Sequence, residues 1–376
     1  MLIASFRESE AETRTAITPQ SAKHFLKAGF SVAIEKDLGL KAGFCNTDYE
    51  HVGTQIVSNS MLLITQADIL LFLNEPRPEV LQGLRPGSLI VGHIENDPNS
   101  ALIQGCLAKS VAVFSMNLIP RLSRAQSMDS LSSQANIGGY RAVLEALTHY
   151  HRVVPMMMTA AGMIQPAKVL ILGAGVAGLQ AIATAKRLGA VVYAFDVRRA
   201  AKEQVESLGA EFIEVYQEQD NETKSGYAAE MSGEYQKKQA ELIDKFAQMA
   251  DIIISTALIP GRVAPILILK STIEQMKPGS IIIDMATSRG GNCEISIPNE
   301  IIKVGEITIV GINNLATLVP TTASELYANN LVHLLNLITP SLAITFKPED
   351  EIIQQALLTY NGQYLPFKIE QERKNA

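Results

Sequence analysis

Cysteine is scarce. The three present, Cys45, Cys106 and Cys293, are far apart and form no metal-ligand spacing, so no metal site is expected and a reducing compartment is the default. Long apolar runs are missing as well. No stretch approaches the ~20 uninterrupted apolar residues of a membrane span. The most apolar candidate, 331–346, is broken by His333, Asn336, Pro340 and Ser341, so a soluble chain is expected. There is no basic excess, and a net charge of −6 argues against a nucleic-acid surface. The opening MLIASFRESEAETR reaches acidic and basic residues too soon for a signal peptide. What remains is ordinary globular composition over 376 residues, the length of two domains that each bury a core.

One stretch organises that length. Residues 168–196 read KVLILGAGVAGLQAIATAKRLGAVVYAFD: a buried strand, a glycine turn, an apolar helix and a second strand ending on Asp196. This is the dinucleotide-binding βαβ pattern. Gly173 allows the turn, Gly175 lets the backbone approach a pyrophosphate, and Gly178 lets helix and strand pack closely. The helix N-terminus offers free N–H groups and a partial positive charge to phosphate. Asp196 suits the two ribose hydroxyls of NAD and repels the extra phosphate of NADP. Candidate cofactor contacts are Gly173, Gly175, Val176, Ala177 and Gly178, then Asp196, Val197 and Arg198. Ala257 and Leu258 join them from a loop at the C-terminal end of a later strand, where ligands sit in open parallel sheets.

The first ~130 residues alternate strands (2–6, 31–35, 54–57, 68–73, 88–93, 110–116) with helices such as 19–28 and 100–108. They lack a glycine fingerprint. Residues 120–134, PRLSRAQSMDSLSSQ, read either as a solvated loop or as a ligand-facing one. A helix over 134–151 is expected to bury Tyr140, Val143, Leu144, Leu147 and His151, with Gly138-Gly139 allowing close approach of a backbone or ligand. The methionine run at 155–162 reads as core. Six strands are expected next: 169–172, 191–195, 211–215, 251–255, 280–284 and 307–310. The polar stretch 217–239 reads as a lid over the cofactor, with a plain surface insertion as the alternative. A helix over 324–337 returns to the first domain, and the charged tail from Tyr364 frays. The fold class is α/β, with two Rossmann-like doubly wound parallel-sheet domains separated by a cleft. Residues 1–133 with about 325–376 form one, and 134–324 the nucleotide domain.

At PRLSRAQSMD, PMMMTAAG, VAGLQAIATAKRLGAVV, KEQVESLGAEF, STALIPG and RGGNC the chain resembles a known family nearly end to end. It is similar to the soluble NAD(H)-binding alpha subunit (domain I) of proton-translocating NAD(P) transhydrogenase, itself related to alanine dehydrogenase. The resemblance places the family's nicotinamide-orienting RQD loop at Arg121, Gln126 and Asp129, with Ser132 just beyond, and puts Tyr227 in its mobile loop. Ser130 stands where the family usually has an apolar residue, and Arg289 where it is more often small or acidic. The resemblance implies direct hydride transfer from NADH to NADP⁺, coupled to proton movement. It also implies a homodimer, peripherally attached at the cytoplasmic face of the cell membrane. No second fingerprint and no membrane span are present, so membrane-integral partner subunits, including the NADP(H)-binding component, are expected to supply both.

Alanine dehydrogenase is the serious rival. Its chemistry needs a cationic clamp for a carboxylate and an acid or base at the amino carbon. By resemblance those roles fall on an arginine, a lysine and a histidine. Arg14 in ETRTAITP keeps the first, but Asn74 in LNEP and Glu95 in GHIEN replace the others, and His93 is two residues off register. Arg14 then reads as a structural ion-pair residue. A third reading is a binding module that senses NAD and passes hydride to nothing. Hydride transfer between two nicotinamides needs neither clamp nor base, only positioning in a closed, largely dry site.

Overall fold

The computed structural model describes residues 1–215, 233–259 and 262–365. The lid expected at 217–239, with Tyr227, falls mostly outside them. So do the end of STALIPG and the last eleven residues. The chain divides into two compact units, Met1–Gln134 with Val319–Ala376, and Ala135–Leu318.

The N-terminal part of the first unit alternates strand and helix: β1 (Leu2–Ser5), α1 (Pro19–Lys27), β2 (Ser31–Glu35), α2 (Asn46–His51), β3 (Gln55–Val57), α3 (Ser60–Gln66) and β4 (Ile69–Leu71). Then come α4 (Pro78–Gly83), β5 (Leu89–Gly92), α5 (Ala101–Ala108) and β6 (Ala112–Ser115). The six strands pair in parallel in the order β6-β5-β4-β1-β2-β3. Each strand sends alternate residues to opposite faces. Ile3, Ile69, Leu71, Leu89, Val91 and Phe114 feed one core, while Ala4, Leu70, Ile90 and Val113 feed the other. Runs apolar on both faces, such as Ile69–Leu71 and 89–91, are what a sheet covered on both faces demands.

The stretch 120–134 is more ordered than either loop reading. Ser123–Met128 is a 3₁₀ turn that buries Ala125 and Met128, and α6 (Ser130–His149) starts four residues before the expected position. Asp129 explains the early start. Its carboxylate accepts from the Ser132 backbone N at 2.9 Å and from the Ser132 hydroxyl at 2.6 Å, an N-cap arrangement. The buried stripe of α6 also differs. Ala142, Val143 and Ala146 are buried, whereas Tyr140 is 40% exposed. Alanines carry this face because Gly139 brings a backbone close: a Cβ there would fall on the carbonyl oxygen of Ala177 and 2.8 Å from its carbon.

The methionine run is not core. β7 (Met157–Thr159) and β8 (Gly162–Ile164) form an isolated two-stranded hairpin, with Met158 77% and Met163 54% exposed. A hairpin with no layer packed on either face cannot bury its side chains in its own unit.

The second unit continues with β9 (Lys168–Leu172), α7 (Val176–Arg187), β10 (Val191–Phe195), α8 (Ala201–Ser207), β11 (Glu211–Phe212), α9 (Gly233–Met249) and β12 (Ile252–Ser255). It ends with α10 (Lys270–Ile273), β13 (Ile281–Asp284), β14 (Ile301–Val304) and β15 (Ile307–Val310). The sheet order is β11-β10-β9-β12-β13-β15-β14, all parallel except β14. The third strand stops at Phe212 instead of Val215, as an edge strand paired on one side only. β14 is an extra, seventh strand. It makes a hairpin with β15 through Gly305, at φ +57°, and alternates exposed and half-buried residues, so half the apolar signal of a strand is absent.

The chain closes in the first unit with α11 (Pro320–Ile338), α12 (Glu351–Ala356), β16 (Leu357–Tyr360) and β17 (Gln363–Tyr364). α11 begins before the expected 324 because Pro320 is suited to the first helical turn. Tyr327, Leu331, Leu334, Leu335 and Ile338 bury in the same core as β1 and β4. β16 lies antiparallel on the edge of β6, and β17 on β16, so Tyr364 is paired in the sheet rather than frayed.

Candidate functional site

In the second unit the site begins where β9 gives way to α7. Gly173 sits at φ +99°, a region open to glycine, and its N–H donates to Phe195 O at 2.8 Å. Gly175 is the N-cap of the 12-residue α7 with no side chain capping it, and a Cβ there would meet nothing within 4 Å. Gly175 therefore offers the first N–H groups of α7 no side-chain acceptor. Val176 is 42% exposed at that end, Ala177 half-buried beside it, and Gly178 buried.

Asp196 does more than end a strand. Its side chain is only 6% exposed. Oδ2 accepts from the Ala174 backbone N at 2.7 Å, so the carboxylate ties the glycine turn to β10. The Arg198 backbone N (2.8 Å) and its guanidinium (3.0 Å at both oxygens) complete the acceptor set. Val197 lies half-buried between them.

The loop after β12 is held by a residue the sequence reading passed over. Asn292 is fully buried. Its Oδ1 accepts from Ser255 Oγ (2.9 Å) and Ala257 N (3.0 Å), and its Nδ2 donates to Ala257 O and Pro265 O (both 2.8 Å). Asp284, at the end of β13 and also fully buried, accepts from Asn292 N and Cys293 N at 2.9 Å and from Ser296 Oγ at 2.6 Å. Asn292 thus fixes Ala257, leaving Leu258 48% exposed at the end of the sheet where ligands bind. Its signal was the NC after the paired glycines, which reads as loop until a partner is known.

In the first unit, Arg121 and Gln126 are exposed while Asp129 and Ser132 are half-buried and bonded to each other. Arg124 anchors the stretch through two bonds to Asp350, at 3.1 and 2.7 Å. Below it lies a buried polar network. Arg14 gives Nε and Nη2 to Glu12 (2.8 and 2.7 Å) and Nη1 to Gln134 (2.7 Å), and Asn74 donates to Glu12 at 2.9 Å. Arg14 is an ion-pair residue, and these bonds commit all three guanidinium nitrogens. Glu95 is exposed. His93 instead turns inward, with Nε2 2.8 Å from Ser130 Oγ.

Glu8, another residue the sequence reading missed, accepts from Leu73 N (2.6 Å) and Asn74 N (3.3 Å). Burial pushes its carboxyl up from 4.5 to about 7, against the pull of those two bonds. A raised acid holds more protons folded than unfolded, so its contribution is full below pH 4.5 and is lost as pH rises through about 7. Glu8→Gln is expected to raise stability at pH 8 by roughly 1–2 kcal/mol, discounted because the carboxyl is only half-buried, and to change little at pH 4.5. Urea denaturation at the two pH values checks this; equal shifts at both would refute it. Among the described residues no group of three or more His, Cys, Asp or Glu is placed to hold a metal ion.

Comparison with known proteins bears on both units. The signature described as "Alanine dehydrogenase/PNT, N-terminal domain" matches residues 6–138, and that described as "Alanine dehydrogenase/PNT, C-terminal domain" matches 142–366. The chain is 43% identical to an NAD(P) transhydrogenase alpha-subunit chain of Rickettsia prowazekii, over 99% of this chain and 98% of that one. A crystal structure of transhydrogenase from Sinorhizobium meliloti superimposes with a TM-score of 0.83 at 39% identity, covering 96% of this chain and 98% of that one. Alanine dehydrogenase of Methanococcus maripaludis is 24% identical over 75% of this chain and 71% of its own.

Proposed function

The chain belongs to the alanine dehydrogenase/PNT family, and on that premise we propose that it is the NAD(H)-binding alpha subunit of a proton-translocating transhydrogenase. It passes hydride from NADH directly to NADP⁺ held by a partner subunit, coupled to proton movement across the membrane. The observation that carries this reading is the 43% identity that runs end to end, whereas identity to alanine dehydrogenase is weaker, at 24% over 75% of the chain.

The residues present fit a dinucleotide. Gly173, Gly175, Val176, Ala177 and Gly178 bind the pyrophosphate through the open end of α7, which no side chain caps. Asp196 takes the adenosine ribose hydroxyls in exchange for part of its Arg198 contact, and its charge disfavours a 2′-phosphate. Val197, Ala257 and Leu258 flank the nucleotide. Bound NADH supplies hydride at its nicotinamide C4. Arg121, Gln126, Asp129 and Ser132 orient that ring and exclude water, so rate comes from positioning rather than acid–base chemistry.

Asp196→Ala is expected to weaken NADH binding by about 1–2 kcal/mol. Titration of nucleotide fluorescence reads the change, and unaltered affinity would remove Asp196 from the site. The hairpin β7–β8 supports a homodimer: with the residue before it, it presents Met156, Met157, Met158, Met163 and Ile164 at 42–77% exposure, and among the described residues no further strand joins its sheet. Among the described residues no helix is long and apolar enough to cross a membrane. We therefore assign proton conduction and NADP(H) binding to membrane-integral partner subunits, with this chain attached at the cytoplasmic face. The alanine dehydrogenase reading is disfavoured by Arg14, whose guanidinium is committed to Glu12 and Gln134 and is not offered to a substrate carboxylate.

The deciding experiment follows a label. The purified chain is mixed with C4-deuterated NADH, NADP⁺, pyruvate, ammonium and membranes of the same source stripped of peripheral protein. Deuterium in NADPH, only when chain and membranes are both present, is expected. Deuterium in alanine would return Arg14 to an active site and overturn the proposal.

A further inference from the structure

Ser130 is fully buried at the first position of α6, directly after Asp129. A buried hydroxyl needs a partner, and among the described residues the side chain bonded to Ser130 Oγ is His93, at 2.8 Å. His93 follows β5, a strand flanked by neighbours on both sides, so it stands on one of the stiffest parts of the first unit. Its ring packs on Tyr327 with centroids 5.1 Å apart, and Tyr327 is itself fully buried with its hydroxyl donating to Phe72 O at 2.7 Å. The ring is thus fixed on one side by the core and on the other by Ser130. Burial, reinforced by Arg14, holds His93 down to about 3, so the ring is neutral at neutral pH and the contact is not titrated away.

The stretch has other tethers, but they lead elsewhere. Asn330 donates to Ser127 O and accepts from Ser133 Oγ, both at 2.8 Å, which ties it to α11. Arg124 ties it to Asp350. His93–Ser130 is the side-chain link, among the bonds described, from the sheet to the first turn of α6. That turn carries Asp129 and Ser132, locked together at 2.6 Å. Whatever sets the position of Ser130 sets the position of both.

We propose that His93 is a positioning residue for hydride transfer, acting through Ser130 on the turn that holds Asp129 and Ser132. The proposal rests on the reading of 121–132 as the nicotinamide-orienting stretch. His93 touches no reacting atom; it fixes the place from which Asp129 and Ser132 act, and small displacements of such groups cost rate before they cost binding.

The test uses the whole chain with stripped membranes and C4-deuterated NADH. His93→Phe keeps a ring against Tyr327 and loses the bond, Ser130→Ala loses the other partner, and His93→Gln keeps a side chain able to bond. His93→Phe and Ser130→Ala are each expected to slow deuteride transfer about tenfold. The double variant should be no slower than either, NADH affinity should stay within about twofold, and His93→Gln should recover most of the rate. A His93→Phe rate equal to wild type overturns the proposal. So does a parallel fall in rate and NADH affinity that follows loss of thermal stability, since that is a structural role only. Gln126→Ala, run alongside, separates the two levels of the argument. If it slows transfer while His93→Phe does not, only the positioning role fails. If wild type moves no deuterium to NADP⁺, the transhydrogenase reading fails and takes this proposal with it.

Discussion

Gly178→Ala is expected to be the most damaging single methyl in the chain, costing about 3 kcal/mol or more and abolishing measurable NADH binding. A Cβ built at Gly178 would fall on the carbonyl oxygen of Gly173 and stand 2.9 Å from its carbon. Both obstacles are backbone, so no rotamer change relieves them. Either α7 moves away from β9 or the turn opens, and each exposes Ala181, Ile182 and Ala185, which are buried against the sheet. Gly175→Ala is the matching control. Its backbone lies at φ −78°, ordinary for alanine, and its Cβ would meet nothing within 4 Å. It should fold with near wild-type stability yet bind NADH much more weakly, because the added methyl enters the space assigned to pyrophosphate. Thermal denaturation and nucleotide titration on the two variants check the pair. A Gly175→Ala protein with normal affinity would place the nucleotide elsewhere.

Asn292→Ala should be of comparable size, at about 3–4 kcal/mol. The change deletes four hydrogen bonds at a fully buried site, leaves Ala257 N, Ala257 O and Pro265 O in want of partners, and leaves Ser255 Oγ only its long 3.5 Å bond to Asp284. Each net bond is worth about 1 kcal/mol, and the stranded groups add desolvation cost. Because two of the four bonds hold Ala257, NADH affinity should fall as well. Asn292→Asp is the informative companion: it keeps both acceptor bonds, loses both donor bonds, and puts a second carboxylate near buried Asp284. Chemical denaturation should find it at least as unstable as Asn292→Ala. Stability within about 1 kcal/mol of wild type for Asn292→Ala would mean that the loop reorganises around water.

Local pattern carried far into this fold. The strands Ser31–Glu35, Val191–Phe195 and Ile307–Val310 were legible to the residue, since each holds a short apolar run bounded by turn or charged residues. β14 was not, because an edge strand half in water shows half the pattern. The start of α6 was missed for another reason: SMDSLSSQ is mostly polar, and only the bonds that Asp129 accepts from Ser132 identify its aspartate as a cap. The methionine hairpin misled because side-chain type was taken for environment, and apolar residues also serve where one surface meets another. In the candidate site, Gly173, Gly178 and Asp196 could be named because the turn's geometry constrains residue type locally. Asn292, Glu8 and the His93–Ser130 contact could not, since each acquires its role from a residue tens of positions away.

The division of the chain into units fixes an order of events during synthesis. Residues 135–318 are contiguous, so the second unit has its whole sheet in hand once Val310 has emerged. The first unit does not. Its six parallel strands are made by Ser115, yet the helix that fills one of its cores, Pro320–Ile338, and the strand that covers the edge of β6, Leu357–Tyr360, arrive more than 200 residues later. Until then Ile3, Ile69, Leu71 and Phe114 lack the Tyr327, Leu331 and Leu335 they pack with, and the β6 edge offers unpaired backbone groups to any passing strand. A ribosome-bound chain therefore carries a finished second unit behind an unfinished first one. Its exposure to aggregation and to chaperones is concentrated in the N-terminal third, although that segment is the first to be made.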